Sequence, residues 1–273
     1  MSKKDVDINQ LKTVARQVRQ DILTMLYEAG SGHTGGSLSI VEILVSLYYV
    51  KMHTRPENPD WGERDRFILS KGHGAPALYS ILARRGYFNH SELKKLRKIN
   101  SMLQGHPYNR STPGVEISTG SLGQGLSVAN GMALAARLDN KPFWVYVLVG
   151  DGEIQEGQIW EAAMSAAHFK LNNLCCIVDY NKLQIDGPLS EIKGVEPLQD
   201  KWQAFGWRVK EVDGHDFSQL LEAFEWAKEK SGEPSVIIAH TVKGKAVSFM
   251  ENKVAYHGVA PTKEELEKAL SEI

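Results

Sequence analysis

Two polar residues follow apolar segments of the sequence at positions that suit a divalent cation. Asp151 lies in a Gly150-Asp151-Gly152 turn directly after the apolar run 143–149, and Asn181 follows the next apolar run, 174–179. A carboxylate on such a turn would repel a bare phosphate group, and a cation between them removes the repulsion. Mg²⁺ commonly binds one or two protein groups together with phosphate oxygens, which suits one Asp helped by one Asn amide. Asx turns that cap the two loops explain the same residues without a ligand, and the spacing alone does not separate these interpretations.

Histidines form the second group of chemically capable residues. Five of the nine stand directly beside a glycine, and four of these are taken as candidates for a site: His33, His73, His106 and His257. An imidazole can give or take a proton near neutral pH and can hydrogen-bond a hydroxyl group. A single loop histidine is more often structural, but four in the same context favour roles that face a ligand. The other histidines are interpreted as structural: His53, His90, His168, His215 and His240.

These polar residues and histidines lie in loops that are far apart in the sequence, so helices and strands must bring the loops together. The pattern of apolar residues predicts those helices and strands. Helical spacing predicts helices over 11–29, 75–85, 124–138, 157–169, 198–205, 217–230 and 263–273. Ser39 with Glu42 is interpreted as a capping box that starts one further helix, through Val50. Apolar runs predict strands at 67–69, 143–149, 174–179, 207–212 and 236–241. The alternation predicts an α/β fold, a doubly wound and mostly parallel sheet with helices on both faces, with ligand chemistry at the carboxyl ends of its strands.

Composition restricts the classes of function. The 273 residues carry 32 Lys and Arg against 33 Asp and Glu, a net charge of −1, so no overall field favours nucleic acid or an anionic membrane. No Pro-, Gly- or Ser-rich linker divides the chain, and a single domain over residues 1–273 is expected. The two cysteines, Cys175 and Cys176, are adjacent and cannot form an ordinary disulfide, which favours a reducing, cytoplasmic location. The N-terminal segment lacks an apolar signal region, and the longest uncharged apolar run, 143–149, is far shorter than the ~20 residues of a membrane span.

Several segments together carry a family resemblance. The Gly150-Asp151-Gly152 turn, followed by Asn181 one strand–helix–strand unit later, resembles the thiamine diphosphate signature of transketolases. Further segments resemble transketolase segments in the same order: SGHTGGSLS (31–39), LSKGHGAPALY (69–79), GHP (105–107) and STGSLGQG (118–125). The similarity continues to HTVKGKAVSFMENKVAYHG (240–258). The chain therefore resembles the N-terminal, diphosphate-binding region of the transketolase family over nearly all of its length.

The resemblance implies a cofactor, a metal ion and a set of residues that bind them. It implies that Mg²⁺ is held by Asp151, the Asn181 side chain and the backbone carbonyl of Leu183. It places thiamine diphosphate against His73, Gly120, Ser121, Leu122, Gly152, Glu156, Asn181, Lys243 and His257. It also implies that a ketose substrate is oriented, and its hydroxyl protons are exchanged, by His33, His106 and His257. Glu156 and Glu161 match acidic residues that link two active sites across a dimer, and a solvated helix face explains them equally well.

Two positions depart from common family patterns. Thr34 stands where many members have proline after the first loop histidine. A second histidine that bacterial-type members carry just before the final His-Gly pair is absent, so the segment from Lys243 to His257 resembles the animal-type pattern instead. These departures concern contacts with the sugar rather than with the cofactor.

The resemblance also implies that catalysis needs a second chain. In the family, a glutamate from a second α/β domain contacts the aminopyrimidine ring and activates the cofactor. Neither that domain nor the phosphate-binding arginines are found here. We therefore expect an N-terminal subunit of a split transketolase, which transfers a two-carbon ketol unit between ketose and aldose phosphates. A C-terminal transketolase subunit would supply the pyrimidine-binding side and the catalytic glutamate, in an α2β2 heterotetramer.

Two alternatives belong to other functional classes. One is the α subunit of a thiamine-dependent 2-oxo acid dehydrogenase, which also divides its cofactor site between chains, and the SGH and SKGH segments argue against it. The other is a non-catalytic cofactor-binding module. The intact histidines and the complete set of metal-binding residues argue against that module.

Overall fold

A five-stranded parallel sheet forms the centre of the chain. The computed structural model describes residues 6–229 and 231–273. The strands are β1 (Arg66–Leu69), β2 (Val145–Gly150), β3 (Leu174–Tyr180), β4 (Arg208–Asp213) and β5 (Ser235–His240). Their order across the sheet is β1-β2-β3-β5-β4, and every neighbouring pair is parallel. The predicted fold class is confirmed.

The helices occur where the periodicity predicted them, with some additions. They are α1 (Ile8–Ala29), α2 (Thr34–Leu38), α3 (Val41–Ser46), α4 (Ala75–Arg85), α5 (Gln124–Leu138), α6 (Gly157–His168), α7 (Leu189–Ile192), α8 (Leu198–Ala204), α9 (Phe217–Ala227) and α10 (Lys263–Glu272). A π-helical turn, Leu47–Lys51, extends α3. Short 3₁₀ segments lie at Gly72–Gly74, His90–Lys95, Glu153–Gln155 and Val254–Tyr256. None of the helices in the described part of the chain is long and apolar enough to cross a membrane.

The inner strands β2, β3 and β5 are buried on both faces because they are apolar at successive positions. In β2, Tyr146 and Leu148 pack with residues of α1, α3, α4 and α9, whereas Val145, Val147 and Val149 pack with residues of α5, α6 and α8. Cys175 and Cys176 likewise belong to opposite faces, both as free thiols. Helices therefore cover both faces, and the carboxyl ends of the strands are left to loops.

The capping box expected at Ser39 and Glu42 is wrong. Helix α3 begins at Val41 with no side-chain cap. The Ser39 hydroxyl donates to Asp179 Oδ2 at 2.8 Å, and the Glu42 carboxylate pairs with Arg19. Both side chains are used in tertiary contacts, which a local sequence pattern does not reveal.

Two helix ends also differ from the expectation. Helix α1 begins before Leu11 because the Asp7 carboxylate accepts hydrogen bonds from the N–H groups of Asn9 and Gln10. Helix α9 ends at Ala227, and Lys230, the predicted end, lies outside the described residues.

Candidate active site

The carboxyl ends of β2 and β3 bring Asp151 and Asn181 together. The parallel register sets Gly150 opposite Asp179, so the residues that follow the two strands share one edge of the sheet. Asp151 Oδ1 accepts the Gly152 N–H at 2.8 Å, and Oδ2 accepts the Lys182 N–H. The Asp151 side chain is only 2% exposed, and this burial, with the charge of Asp179 as a second cause, raises the pKa of Asp151 to about 7.

The groups around Asp151 fit a hard divalent cation. Asn181 Nδ2 donates to Asp179 Oδ2 at 2.9 Å, which fixes the orientation of the amide, and Asn181 Oδ1 accepts the Leu183 N–H at 3.1 Å. The Leu183 carbonyl accepts from Lys243 Nζ at 3.1 Å, so an amide oxygen and a carbonyl oxygen stand beside the carboxylate. The described residues contain no group of three or more His, Cys, Asp or Glu that could hold a metal ion. This donor set is all oxygen with a single carboxylate, which suits Mg²⁺ bound jointly with phosphate oxygens rather than zinc.

The four candidate histidines form one cluster. Ring centroids of His33 lie 5.2 Å from His73, 6.0 Å from His106 and 5.5 Å from His257, and His73 lies 5.5 Å from His257. They come from four separate loops, so the fold assembles what the sequence spreads over more than two hundred residues. The expectation that these histidines share one site is matched by their positions.

The surroundings of the cluster keep its imidazoles neutral. Burial is the largest cause of the lowered pKa in each of the four histidines, and nearby cations lower it further. The pKa of His33 falls to about 4 and that of His257 to about 3, and the pKa values of His73 and His106 also lie below the ordinary range. Lys243 Nζ lies 2.7 Å from His257 Nδ1, so an ammonium donates to Nδ1 and leaves the ring hydrogen on Nε2. Burial, with Lys71 as the next cause, lowers the pKa of Lys243 to about 8.

The first loop packs directly against the segment that carries Lys243 and His257. A Cβ at Gly35 would lie 2.9 Å from Lys243 Cγ, so this close approach requires glycine. The Gly35 carbonyl accepts the Gly244 N–H at 3.0 Å. Thr34, the residue that departs from the family pattern, donates its hydroxyl to the Val259 carbonyl at 2.7 Å. These contacts explain how His33 and His257 meet.

One cavity of about 360 Å³ contains most of the predicted site. Its lining includes these residues singled out from the sequence: His33, His73, His106, Gly120, Leu122, Asp151, Gly152, Glu156, Asn181, Leu183, Lys243 and His257. Ser121 is exposed and does not line it, and Glu161 is exposed on α6 away from it. A larger cavity of about 1160 Å³ shares Asn181 and Leu183, but no histidine of the cluster lines it. We assign the chemistry to the smaller cavity because it holds both the oxygen donors and the imidazoles.

A buried ion pair beneath this cavity is absent from the sequence predictions. Lys71 Nζ lies 2.5 Å from Asp179 Oδ2, and their side chains are 1% and 0% exposed. Asp179 also accepts from the hydroxyls of Ser39 and Thr241, and Lys71 donates to the Gly36 carbonyl at 2.9 Å. Burial opposes the charge, but the Lys71 ammonium and the hydrogen bonds from Lys71, Thr241 and Ser39 together keep the pKa of Asp179 below its ordinary value. Lys71 stood in the LSKGHGAPALY segment, yet nothing in the sequence distinguished it from a solvated lysine.

Glu153 is a second buried carboxylate that the sequence did not single out. Its Oε1 accepts from Ser70 Oγ at 2.5 Å and from the Gly123 N–H at 2.9 Å, and its Oε2 accepts the Gly150 N–H at 3.0 Å. Burial raises the pKa of Glu153 above its ordinary value despite these hydrogen bonds. The carboxylate therefore joins the end of β2 to the turn before α5. Its position directly after the Gly-Asp-Gly turn was the one available signal.

A doubly wound parallel sheet with this site at its carboxyl edge defines a cofactor-binding α/β domain. The sequence matches the profile of the family described as "Transketolase, thiamine diphosphate binding domain" over residues 10–272. The chain therefore belongs to the transketolase family, as its N-terminal thiamine diphosphate-binding domain.

Individual relatives agree with this assignment. The 6-deoxy-6-sulfo-D-fructose transketolase subunit SqwG of Clostridium sp. (strain MSTE9) is 48% identical over 273 residues, which are 100% of this chain and 98% of that protein. An apulose-4-phosphate transketolase subunit of Phocaeicola vulgatus is 40% identical, over 98% of this chain and 95% of that protein. The crystal structure of Campylobacter jejuni transketolase superimposes with a TM-score of 0.93 at 35% identity, covering 98% of this chain but 43% of that one. The chain thus spans less than half of that transketolase and nearly the full length of the two subunits.

Proposed function

We propose that this chain is the N-terminal subunit of a two-chain transketolase, acting as a single domain. It binds the diphosphate of thiamine diphosphate through Mg²⁺ and transfers a two-carbon ketol unit together with a separate C-terminal subunit. The observation that carries the proposal is one cavity holding both an oxygen donor set and four neutral imidazoles. Two relatives that match along their whole lengths are described as transketolase subunits, which supports a divided enzyme.

In this proposal the metal ion joins the cofactor to the chain. Asp151, the Asn181 amide oxygen and the Leu183 carbonyl would hold Mg²⁺ jointly with the diphosphate. Asp179 contributes indirectly, since its bond to Asn181 Nδ2 keeps the amide oxygen on the donor side. The positive charge also favours the ionised form of Asp151, which burial alone disfavours. The metal acts as a template and a charge bridge.

The cofactor side of the cavity uses residues from several loops. When bound, thiamine diphosphate supplies the nucleophilic carbon that adds to a ketose carbonyl. The proposed cofactor contacts are His73, Gly120, Ser121, Leu122, Gly152, Glu156, Asn181, Lys243 and His257. Helix α5 begins next to this group, so its N-terminus favours the negative charge of the diphosphate.

The sugar side of the cavity uses His33, His106 and His257. Each imidazole is neutral, so His33 and His106 can each donate one hydrogen bond to a sugar hydroxyl and accept another, whereas His257, whose Nδ1 accepts from Lys243, can donate one from Nε2. His257 is oriented by Lys243, and His33 Nδ1 is a buried nitrogen without a partner in the described part of the chain. A buried polar atom without a partner is costly, and a substrate hydroxyl would satisfy it. These histidines would hold the ketose and accept or return its hydroxyl protons.

The missing half of the site is assigned to a partner chain. A C-terminal transketolase subunit would supply the pyrimidine-binding side and the activating glutamate, most simply as an α2β2 heterotetramer in the reducing cytoplasm. The substrates would be ketose and aldose phosphates or related anionic sugars, since the two relatives are described by a sulfonated and a phosphorylated ketose. The 2-oxo acid dehydrogenase alternative is not favoured, because the family profile is that of transketolases.

The decisive experiment is native mass spectrometry of the chain purified from its own cells with Mg²⁺ present. We expect a heteromer with a second chain and bound thiamine diphosphate, and we expect ketol transfer only when both chains are present. A partner-free chain that carries no cofactor, even after thiamine diphosphate is added, would overturn the proposal.

A single substitution tests the metal assignment. Asp151→Ala removes the one carboxylate of the donor set, so Mg²⁺-dependent cofactor binding should be lost while the circular dichroism spectrum stays that of a folded chain. Calorimetry with thiamine diphosphate and Mg²⁺ gives the binding. Asp186→Ala, an exposed carboxylate of the following loop, is the control. Unchanged affinity in the Asp151 variant would reject the assignment.

A further inference from the structure

Three polar side chains form a second network behind the candidate active site. Arg19 comes from α1, Glu42 from α3, and His215 from the loop between β4 and α9. An Arg19 guanidinium nitrogen lies 2.7 Å from Glu42 Oε1, and His215 Nδ1 lies 2.9 Å from Glu42 Oε2. The three side chains are 7%, 9% and 12% exposed, so the network is almost closed to solvent. A buried network in which each member has a partner is rigid.

The hydrogen bonds of His215 fix which ring nitrogen carries its hydrogen. The Val242 N–H donates to His215 Nε2 at 2.8 Å, and because a backbone N–H can only donate, Nε2 is the acceptor. The hydrogen is therefore on Nδ1, which faces the Glu42 carboxylate. Burial opposes the charge of Glu42, but Arg19 and His215 keep the pKa of Glu42 below its ordinary value, so it remains an acceptor.

This network holds the backbone on both sides of Lys243. His215 accepts the Val242 N–H on one side, and Arg19 Nε donates to the Lys245 carbonyl at 3.3 Å on the other. The side chains of Arg19 and His215 line none of the cavity that holds the histidine cluster, and neither does that of Glu42. Any influence on the active site therefore passes through the backbone of Lys243.

The loop that carries His215 is pressed against the end of β5. A Cβ at Gly214 would overlap Thr241 Cγ2, so this close approach requires glycine. The Gly214 N–H donates to the His240 carbonyl at 2.8 Å. His215 is thus held at a fixed distance from the segment that follows β5.

Lys243 carries this restraint into the active site. Its side chain is buried, and Nζ donates to the Leu183 carbonyl at 3.1 Å and lies 2.7 Å from His257 Nδ1. The hydrogen bond at one ring nitrogen decides where an imidazole carries its hydrogen. A displaced Lys243 backbone would weaken the contact at Nδ1 and leave His257 free to place its hydrogen on either nitrogen.

We propose that His215 is a positioning residue, which holds Lys243 against His257 through its bond to the Val242 N–H. The hydrogen of His257 then stays on Nε2, where it can be donated to a sugar hydroxyl. Arg19 and Glu42 orient His215 and restrain the same segment. The inference rests on the proposed function, since it adds a residue that prepares the proposed sugar contact without touching cofactor or sugar.

Two amide variants of His215 separate its two hydrogen bonds. The His215→Gln amide reaches the level of Nε2 and can still accept the Val242 N–H, whereas the His215→Asn amide reaches only the level of Nδ1 and keeps only the contact with Glu42. The measurement is ¹⁵N NMR of His257 in the full chain at neutral pH, because the two ring nitrogens shift differently in the two tautomers. The signal is assigned by its loss in His257→Gln. We expect the Nε2–H tautomer in the native chain and in His215→Gln, and a mixture of tautomers in His215→Asn.

His240→Asn is the matched control. His240 Nε2 lies 2.6 Å from a glutamate oxygen of Glu211, but this pair is exposed, and in the described part of the chain the His240 side chain makes no hydrogen bond to residues 242–245. An unchanged tautomer in His215→Asn would overturn the proposal, as would an equal change in His215→Gln or His240→Asn. A native chain with the His257 hydrogen on Nδ1 would overturn it as well. If His215→Asn does not fold, His215→Phe keeps the ring volume, loses both hydrogen bonds, and is judged by the same outcomes.

Kinetics of the complex with the C-terminal subunit give a second measurement. His215→Asn should lower kcat/KM for a ketose phosphate by about 2- to 10-fold, the range for one net hydrogen bond, and His215→Gln should restore most of the loss. Equal losses in the two variants would count against the proposal. If the native complex transfers no ketol unit, the proposed function fails separately, and the tautomer of His257 still decides the role of His215.

Discussion

At the scale of single residues, neutral imidazoles are the chemical property that the fold creates. In solution a histidine is partly protonated near neutral pH. In the cluster, burial and the neighbouring ammonium and guanidinium groups make protonation unfavourable, so the rings stay available as acceptors and donors. Glycine neighbours in the sequence indicated that these loops approach a ligand. The sequence did not indicate that the rings are buried deeply enough to stay neutral; only the fold shows that burial.

The lowered pKa of His33 predicts a dependence of stability on pH. Between pH 6.5 and about pH 4 the unfolded chain binds a proton at this residue that the folded chain does not. The free energy of unfolding should therefore fall as pH falls through that window. His33→Gln should make this fall smaller, as measured by urea denaturation at both ends of the window. His168→Gln, exposed on α6 outside the cluster, is the control, and an unchanged slope in the His33 variant would contradict the pKa argument.

Charged residues at the base of the site were the least predictable from sequence. Lys71, Asp179 and Glu153 stand next to strand ends and turns, where solvated charges are common. A buried pair is recognisable only when both partners are placed, and Lys71 and Asp179 are 108 residues apart in the chain. Asp151 and the four imidazoles of the cluster were predicted because their types and spacing repeat a family pattern.

At the scale of elements, one carboxylate joins the ends of three strands. Asp179 is the penultimate residue of β3, Lys71 follows β1, and Thr241 follows β5, while Ser39 follows α2. These contacts fix the positions of the loops that carry the site relative to one another. It also explains why the local pattern at Ser39 gave an incorrect helix cap.

Asp179→Asn should destabilise the chain because it leaves the Lys71 ammonium buried without a counter-ion. Breaking a buried pair in this way typically costs about 3–5 kcal/mol. Urea denaturation measures the loss, with Asp186→Asn as the exposed control. Adding Lys71→Met to Asp179→Asn should recover part of the stability, and a double variant less stable than the sum of the single effects would count against the ion-pair account.

Glu153→Gln tests the connection between β2 and α5. A carboxylate accepts the Gly123 and Gly150 N–H groups with two oxygens, whereas an amide has one oxygen and would turn its NH₂ toward the other N–H. Leaving one buried donor unsatisfied should cost about 1–3 kcal/mol of unfolding free energy. Faster hydrogen exchange at the Gly123 or Gly150 amide would locate the change. Glu161→Gln on α6 is the control, and equal stability of the two variants would refute the role of Glu153.

At the scale of the whole molecule, the fold class was predictable and the strand order was not. Apolar strands alternating with helices require a parallel sheet with both faces covered, and the structure agrees. The placement of β5 between β3 and β4 depends on long-range pairing, which local periodicity does not encode. That placement is what brings Thr241 and Lys243 beside the end of β3, so part of the site could not have been located from sequence patterns alone.

The two outer strands of the sheet limit how the chain can join another one. β1 spans only four residues, and β4 carries Arg208, Lys210 and Glu211 along its length. Short or charged outer strands resist pairing with a strand from another molecule. The sheet therefore resists the addition of a strand from another molecule. Contacts between this chain and another one are expected to use helices and loops instead. Free copies of the chain would then be protected from stacking into fibres through their sheet edges.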